Sequence, residues 1–309
     1  MRAKVDLNDE GPAALRINTR RFEMSAEQLV VNGVVLGCIF ALSAIGLSMT
    51  YRILNFANLA HGDFVTFGAY AAFLFSALWG VNFLLAFLLA IAATSLFSIL
   101  LDLVIWRRMR SKGATRTALM ILSIGLAISL RNLLVFSFGP NIKRYPMPLK
   151  EGINVGGVVV TGYQLAVVAV ALVLMLAIHH LLTRTTMGKA MRALSDNADL
   201  ARVSGIDVDR VIRLTWAIGM ALAAAAGVLY GLITNINPTM GWFMVIPIFS
   251  AAILGGIGNP YGAMLGGMVI GLSQELSTLV LPSEYKIAVS FFIMIAVLLR
   301  RPQGIMGGR

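Results

Sequence analysis

The side chains best suited to chemistry lie in one short polar stretch, NFANLAHGDFVTFGAY, at residues 55–70. Five of its members could contact a ligand or break a helix: Asn55, Asn58, His61, Gly62 and Asp63. Long apolar segments lie on both sides, and a charge at membrane depth is costly enough to indicate a function or a partner. Asp63 could instead cap the helix that follows by accepting its free N–H groups. We favour this capping role, with the asparagine amides as candidates to line a polar path.

A glycine-rich cluster, AAILGGIGNPYGAMLGGMVIGL at residues 251–272, is a second candidate. Its candidate path residues are Gly255, Gly256, Gly258 and Asn259. Short segments interrupted by Gly and Pro in two halves of a transporter indicate a site near the bilayer midplane. Glycine clusters in membranes also serve close helix packing. The sequence leaves both roles open.

Catalytic and nucleotide-binding motifs are missing from the sequence. Gly188 and Lys189 lack the upstream glycine of a P-loop. His179 and His180 are adjacent, so on a helix they point about 100° apart and cannot form the paired zinc ligands of a metallopeptidase. The single cysteine, Cys38, excludes an internal disulfide. We therefore predict a protein that is not an enzyme, needs no cofactor or metal, and does not hydrolyse ATP by itself.

Long apolar runs must position these residues. Of the 309 residues, 58% are hydrophobic and 13% are charged, against about 25% charged in soluble domains. A bilayer core of about 30 Å takes about 20 helical residues, and these runs are too long for barrel strands. The sequence predicts an all-α, polytopic transmembrane protein. Its candidate membrane segments lie near residues 28–51, 64–79, 83–106, 117–138, 163–183, 211–234, 243–257, 262–281 and 285–300.

The loops between these segments differ in charge. The loop at 106–116, the loop at 184–213 and the tail from residue 300 are basic, whereas residues 235–243 carry no charge. Basic loops favour the cytoplasmic side. The net charge of +11 is therefore an indication of membrane topology rather than of a nucleic-acid partner.

The predicted domain organisation has three parts. Residues 1–27 form a cytoplasmic N-terminal arm, residues 28–301 a transmembrane domain, and residues 302–309 a cytoplasmic tail. Three complete crossings before the basic loop at 106–116 would place the arm outside. We therefore expect the segment with the polar stretch to be re-entrant or discontinuous, within about eight or nine membrane segments, of which one or two are interrupted.

The third cytoplasmic loop, residues 185–213, has helical patterning of its own. Apolar residues recur at helical spacing, Ser195 or Asp196 could cap a short helix, and Gly205 would end it. A patterned helix outside the bilayer is typical of a docking element, and a solvated connector of this length is the less favoured alternative.

Four ordered motifs resemble one family, the LivH-type permeases of branched-chain amino acid ABC transporters. They are NGVVLGCIFALSAIGLSMTYRILNFANLAHGDFVTFGAYAAF, TTMGKAMRALSDNADLARVSGIDVDRVI, LGGIGNPYGAMLGG and LRRPQGIMG, within residues 28–307. The resemblance implies import of branched-chain or neutral amino acids across a bacterial cytoplasmic (inner) membrane. It also implies an extracytoplasmic substrate-binding protein, a second, LivM-like permease subunit, and two cytoplasmic ABC ATPase subunits.

The same resemblance makes the patterned loop a coupling helix. Asp199, Leu200 and Ala201, followed by Gly205, resemble the family's acid-Ala-Ala-x-x-x-Gly loop, from which Leu200 departs. The candidate ATPase-coupling residues are Arg192, Ser195, Asp196, Asp199, Leu200, Ala201 and Gly205.

Two other functions stay open at the level of the sequence. A permease for urea or short amides would use similar polar groups, because amides also bind backbone N–H and C=O groups. An autonomous channel or a membrane-embedded enzyme would act without partners, and the missing catalytic motifs and the docking loop are arguments against it. For an amino acid, the free groups at half-helix ends could receive both charges of the zwitterion.

Overall fold

The computed structural model describes residues 25–148 and 152–307, and these residues are mostly helical. The helices are α1 (Ala26–Leu54), α2 (His61–Phe73), α3 (Phe83–Leu101), α4 (Arg107–Ser111), α5 (Arg116–Phe138), α6 (Gly162–Arg184), α7 (Thr186–Asp196), α8 (Ala198–Val203), α9 (Val208–Ile233), α10 (Met240–Gly255), α11 (Pro260–Leu276) and α12 (Lys286–Arg300). Strands β1 (Ile153–Val155) and β2 (Val158–Val160) pair as an antiparallel hairpin. The prediction of a helical polytopic protein is confirmed, with this small hairpin added.

Five helical runs are long and apolar enough to cross a membrane by length and composition: Ala26–Leu54, Phe83–Ser111, Arg116–Phe138, Gly162–Arg184 and Val208–Ile233. The second of these joins α3 to α4 through a π-helical turn, Asp102–Trp106. A π-helical turn, Leu74–Leu78, also extends α2. The runs formed by α2, α10, α11 and α12 are shorter, so the number of complete crossings stays a prediction.

The two ends of α1 contact opposite ends of the molecule. At its start, the Gln28 side chain exchanges two hydrogen bonds with the backbone of Val159 in β2, at 2.8 and 3.0 Å. Near its end, Arg52 Nε donates to Ser195 Oγ of α7 at 3.1 Å. We call the end with the hairpin the outer end and the end with α7 the inner end, because basic loops favour the cytoplasmic side.

The long helical runs alternate in direction among the described residues, although α2 covers only the outer part of the distance between the two ends. They are α1, α2, α3 with α4, α5, α6, α9, α10, α11 and α12. Three such runs therefore precede the basic loop at 112–115, and residues 25–27 of the predicted cytoplasmic arm lie at the outer end. The direction of α1 favours an arm at the outer end, and the side of the membrane on which the arm lies stays a prediction. Residues 1–24 of that arm lie outside the described residues.

Small residues let α1 pack closely against α11. The two helices are antiparallel, and a Cβ added to Gly271 would collide with the backbone of Gly37. A Cβ on Gly33 would lie 2.9 Å from the Cα of Leu272. Backbones that approach this closely gain van der Waals contact without needing a hydrophobic effect, which is absent in lipid. The middle of α1 is consequently buried from Cys38 to Thr50.

The patterned loop folds as two helices, α7 and α8, instead of one. Asn197 separates them, and its side chain accepts hydrogen bonds from the N–H groups of Asp199 and Leu200. The expected cap at Ser195 or Asp196 is wrong because both residues lie in the last turn of α7. Gly205 follows α8 with φ of 85°, so the predicted stop is confirmed.

Candidate functional site

The polar stretch connects the inner end of α1 with a helix, α2, that begins deep inside the molecule. Asn55 ends α1 in the left-handed region, with φ of 56°, which Asn tolerates better than most residues. After five more residues, His61 begins α2 with its Nε2 at 3.0 Å from the carbonyl oxygen of Ser43. Ser43 lies eleven residues before the end of α1, so α2 begins roughly 16 Å inside that end.

Asn58 organises the segment that connects these helices. Its Oδ1 accepts from the N–H of Ala60 at 3.1 Å, and the N–H of Leu59 donates to Ser123 Oγ of α5 at 3.1 Å. Asn58 is buried, and its Nδ2 has no hydrogen-bond partner within the described part of the chain. Asn55, by contrast, is exposed at the inner end.

Asp63 forms an ion pair with Arg131. Arg131 Nε and Nη2 lie 3.2 and 3.1 Å from Asp63 Oδ1, and the Asp63 side chain is only 1% exposed. The capping role we favoured for Asp63 is therefore wrong: Ala60 occupies the N-cap position and α2 has no side-chain cap. Arg131, which sequence reasoning missed, was visible as a lone charge within the apolar run of α5.

Gly62 lies where α2 crosses α10. A Cβ at this position would collide with the carbonyl oxygen of Gly241. One turn further along α2, Thr66 Oγ1 accepts from the N–H of Gly241 at 2.9 Å. The geometry at Gly62 is that of close helix packing.

A polar strip on α5 remains exposed at membrane depth. Ser129 and Asn132 are exposed near the middle of this helix, and the Arg131 side chain beside them is 21% exposed. The guanidinium lies 4.8 Å from the ring centroid of Trp242, which is 54% exposed. The large exposed side chains of α3 are all Leu, whereas α5 exposes these polar groups beside apolar side chains such as Leu133. Polar groups at membrane depth generally face a protein partner or a water-filled cavity instead of lipid.

The glycine cluster forms a turn at the inner end, between the antiparallel helices α10 and α11. Gly255 ends α10, Gly256 and Gly258 have φ of 104° and 88°, and Asn259 caps α11 through the N–H groups of Tyr261 and Gly262. It therefore differs from the expected second interruption at the midplane. The positive φ angles of Gly256 and Gly258 explain why glycine occupies these two positions.

The C-terminal tail packs against this turn. The N–H groups of Ile305 and Met306 donate to the carbonyls of Leu254 and Gly255 at 2.8 and 3.0 Å. Asn259 Nδ2 donates to the carbonyl of Met306 at 2.8 Å. The tail thereby satisfies carbonyl groups that the end of α10 would leave unpaired.

An inner groove of about 1030 Å³ brings together residues that the sequence analysis assigned to two separate roles. From the candidate path it includes Asn55, Gly258 and Asn259, and from the coupling loop Arg192 and Ser195. Arg52, which sequence reasoning missed, joins the two sets. Its Nε binds Ser195, and its Nη2 lies 3.9 Å from Asp196 Oδ1.

The short helix α8 presents side chains to the surface of the inner end. Leu200 and Val203 are 62% and 80% exposed, and Asp199 is exposed beside them. Ala201 is buried and fixes the opposite face of the helix. In α7, the Arg192 guanidinium donates to the carbonyl of Leu182 in α6. This hydrogen bond joins the α7–α8 pair to α6.

Apolar helices that alternate in direction, with a helix pair on the surface of the inner end, define a polytopic helical membrane protein. The family model described as the permease component of the branched-chain amino acid transport system matches residues 29–298, so the chain belongs to that family. The resemblance to LivH-type permeases is thus confirmed.

Several curated relatives match almost the whole chain. The high-affinity branched-chain amino acid transport system permease protein BraD of Pseudomonas aeruginosa is 36% identical, covering 91% of this chain and 95% of the relative. LivH of Escherichia coli K12 is 37% identical with the same coverage. Among solved structures, PsaBC from Streptococcus pneumoniae in complex with Fab matches with a TM-score of 0.51 and 13% identity, over 91% of this chain and 94% of that chain. At that identity the likeness is one of fold.

Proposed function

We propose that this chain is the membrane-spanning permease subunit of an ABC importer for branched-chain amino acids in a bacterial cytoplasmic membrane. The observation that carries the proposal is the family match over residues 29–298, and the names of the two full-length relatives support it. Those names also favour amino acids over urea or short amides.

Two cytoplasmic ABC ATPase subunits supply the energy in this proposal. The exposed side chains of α8 dock on one ATPase, and α7 carries the movement to the end of α1 through Arg52 and Ser195. A short helix held by its neighbours can act as a rigid handle, so that closure of the ATPases does work on the membrane helices.

A second, LivM-like permease covers the polar strip of α5, and the amino acid crosses between the two chains. Ser129, Asn132 and the Asp63–Arg131 pair provide polar groups along this route, and Asn58 adds an unpaired amide nitrogen nearer the inner end. An extracytoplasmic binding protein delivers the amino acid to the outer end.

A pull-down from native membranes in mild detergent tests the assembly. We expect the tagged chain to recover a second permease and ATPase activity, and we expect Val203→Asp, or scrambling of residues 199–205, to lose the ATPases. Lys112→Ala is the control, because Lys112 is exposed on a different inner loop. Recovery of the chain alone, still transporting in vesicles without ATP, would identify an autonomous channel instead. Competition of leucine uptake by urea would identify an amide permease.

A further inference from the structure

A second cavity, of about 610 Å³, lies at the outer end of the molecule. It opens among the start of α1, the end of α9, the end of α11 and the start of α12, with Asn32 and Gln164 among its polar lining residues. Small-molecule sites in proteins typically occupy about 300–1,000 Å³. The cavity is distinct from the inner groove and shares no lining residue with it.

An ion pair forms part of the cavity wall. Lys286 Nζ lies 2.7 Å from Glu275 Oε1, and the two side chains are 27% and 9% exposed. Removing two charges from water costs several kcal/mol for each ion, and their attraction offsets this cost only when further polar groups complete the site. Both residues line the cavity, so a ligand there can reach the carboxylate and the ammonium group.

The polar lining around the pair is of mixed type. Gln164 Nε2 donates to Asn32 Oδ1 at 3.1 Å, so amides from α6 and α1 meet on one side of the cavity. Gln274, next to Glu275, donates to Ser290 of α12 at 2.6 Å and thereby fixes α11 against α12. Glu275 and Lys286 therefore lie on two helices, α11 and α12, that this hydrogen bond joins.

The remaining lining is largely apolar, and Phe40, Phe243 and Met244 belong to it. A second acidic residue of the lining, Glu284, is exposed. Burial of an aliphatic side chain against such a surface is favourable. Beside the exposed Glu284, the cavity therefore offers one ion pair, Glu275 with Lys286, and an apolar surface.

We propose that this outer cavity is a binding site for a zwitterionic, aliphatic α-amino acid, which exchanges partners with the Glu275–Lys286 pair. The ligand's ammonium group binds Glu275, its carboxylate binds Lys286, and its side chain lies against the apolar lining. The inference rests on the proposed function and adds the residues that receive the substrate. Because the basic loops lie at the inner end, the cavity opens on the side from which a binding protein would deliver its ligand.

Charge balance makes this site selective. A zwitterion and an ion pair are both neutral, so the exchange leaves no buried charge without a partner. Urea carries no charge and would leave the pair intact, whereas an amino acid amide lacks the carboxylate and would leave Lys286 without a new partner.

Uptake of labelled leucine by the complete complex tests the site. We expect Glu275→Gln and Lys286→Met each to raise the KM for leucine about tenfold or more, because each leaves a charge of the ligand unpaired. The double variant Glu275→Gln/Lys286→Met leaves no unpaired charge in the protein, so we expect it to assemble, to retain basal ATP hydrolysis and to remain defective in uptake. Glu27→Gln, which removes an exposed charge at the outer end and away from the cavity, is the matched control.

The reversed pair Glu275→Lys/Lys286→Glu separates binding from stability. A pair that serves only to join α11 to α12 works in either orientation, so normal leucine uptake by the reversed or the doubly neutral variant would overturn the inference. Failure of the wild-type complex to transport leucine would instead overturn the proposed function.

Protection from a thiol reagent gives a readout independent of transport. In a Cys38→Ser background, Thr234→Cys places a thiol in the cavity lining. In the purified complex that carries only these two substitutions, we expect leucine to slow modification of the thiol several-fold and urea to have no effect. We expect the further substitutions Glu275→Gln and Lys286→Met together to abolish the protection by leucine. Equal rates with and without leucine would overturn the proposed site.

Discussion

Asp63 of the polar stretch forms a largely buried ion pair with Arg131, and the contribution of this pair to stability can be tested by single and double substitution. Asp63→Asn or Arg131→Met leaves one charge without its partner, which typically costs about 3–5 kcal/mol at a buried site. We expect each single variant to lower the unfolding temperature of the purified chain in detergent markedly. The double variant leaves no uncompensated charge, so its unfolding temperature should lie close to that of the wild type.

The Arg107–Asp209 pair is a suitable comparison. It has a similar distance, 3.0 Å, but its side chains are 51% and 46% exposed. Exposed pairs contribute roughly 0–1 kcal/mol, so Asp209→Asn should change the unfolding temperature little. Equal effects of Asp63→Asn and Asp209→Asn would contradict the interpretation of Asp63 as a buried, paired charge.

Gly62 provides a prediction about packing at the residue scale. The sequence analysis treated it as a path residue, but a Cβ there would collide with the backbone of Gly241. We therefore expect Gly62→Leu to prevent recovery of folded chain by size-exclusion chromatography, since overpacking costs about 1–3 kcal/mol or more. Gly125→Leu is the control, because no atom lies within 4 Å of its Cβ position. Normal folding of Gly62→Leu with loss of uptake alone would restore the path role.

At the scale of elements, local signals were predictable and long-range partners were not. Gly205 ends its helix through a backbone preference that is visible in one residue, whereas the partner of Asp63 lies 68 positions away in another helix. Sequence likewise could not distinguish a break at the midplane from a turn at the inner end. Both structures use the same Gly and Asn residues, and only the packing of α10 against α11 shows that this segment is a turn at the inner end.

Arg52 connects the end of α1 with α7, and its role in coupling is testable. Its contacts with Ser195 and Asp196 are exposed, so Arg52→Ala should leave the unfolding temperature almost unchanged. Loss of the link should reduce the number of leucine molecules imported for each ATP hydrolysed, by about fivefold if this contact carries a typical coupling energy.

The measurement compares uptake and ATP hydrolysis in the same proteoliposomes. Arg107→Ala is the control, because Arg107 joins α4 to α9 and has no contact with α7 in the described residues. A parallel fall of uptake and hydrolysis in Arg52→Ala would contradict a coupling role and would indicate weaker docking of the ATPase.

For the whole molecule, the charge of the loops combined with the direction of α1 predicts a different topology from the one that charge alone predicts. The sequence analysis placed residues 1–27 inside because of their arginines, and it then needed an incomplete crossing to reach the basic loop after α4. The contacts of Gln28 with the hairpin and of Arg52 with α7 fix the direction of α1. We therefore predict a topology in which the helices alternate in direction from Ser25 to the C-terminal tail.

Thiol labelling from one side of the membrane tests this topology. The natural sequence has one cysteine, Cys38, which is buried, and Cys38→Ser gives a background without thiols. We expect a membrane-impermeant maleimide to label Ser25→Cys in intact spheroplasts, and to label Ser111→Cys only after permeabilisation. Asn154→Cys in the hairpin should label like Ser25→Cys, because both lie at the outer end. Labelling of Ser25→Cys only after permeabilisation would return the arm to the cytoplasm and would require that α1 does not cross the bilayer.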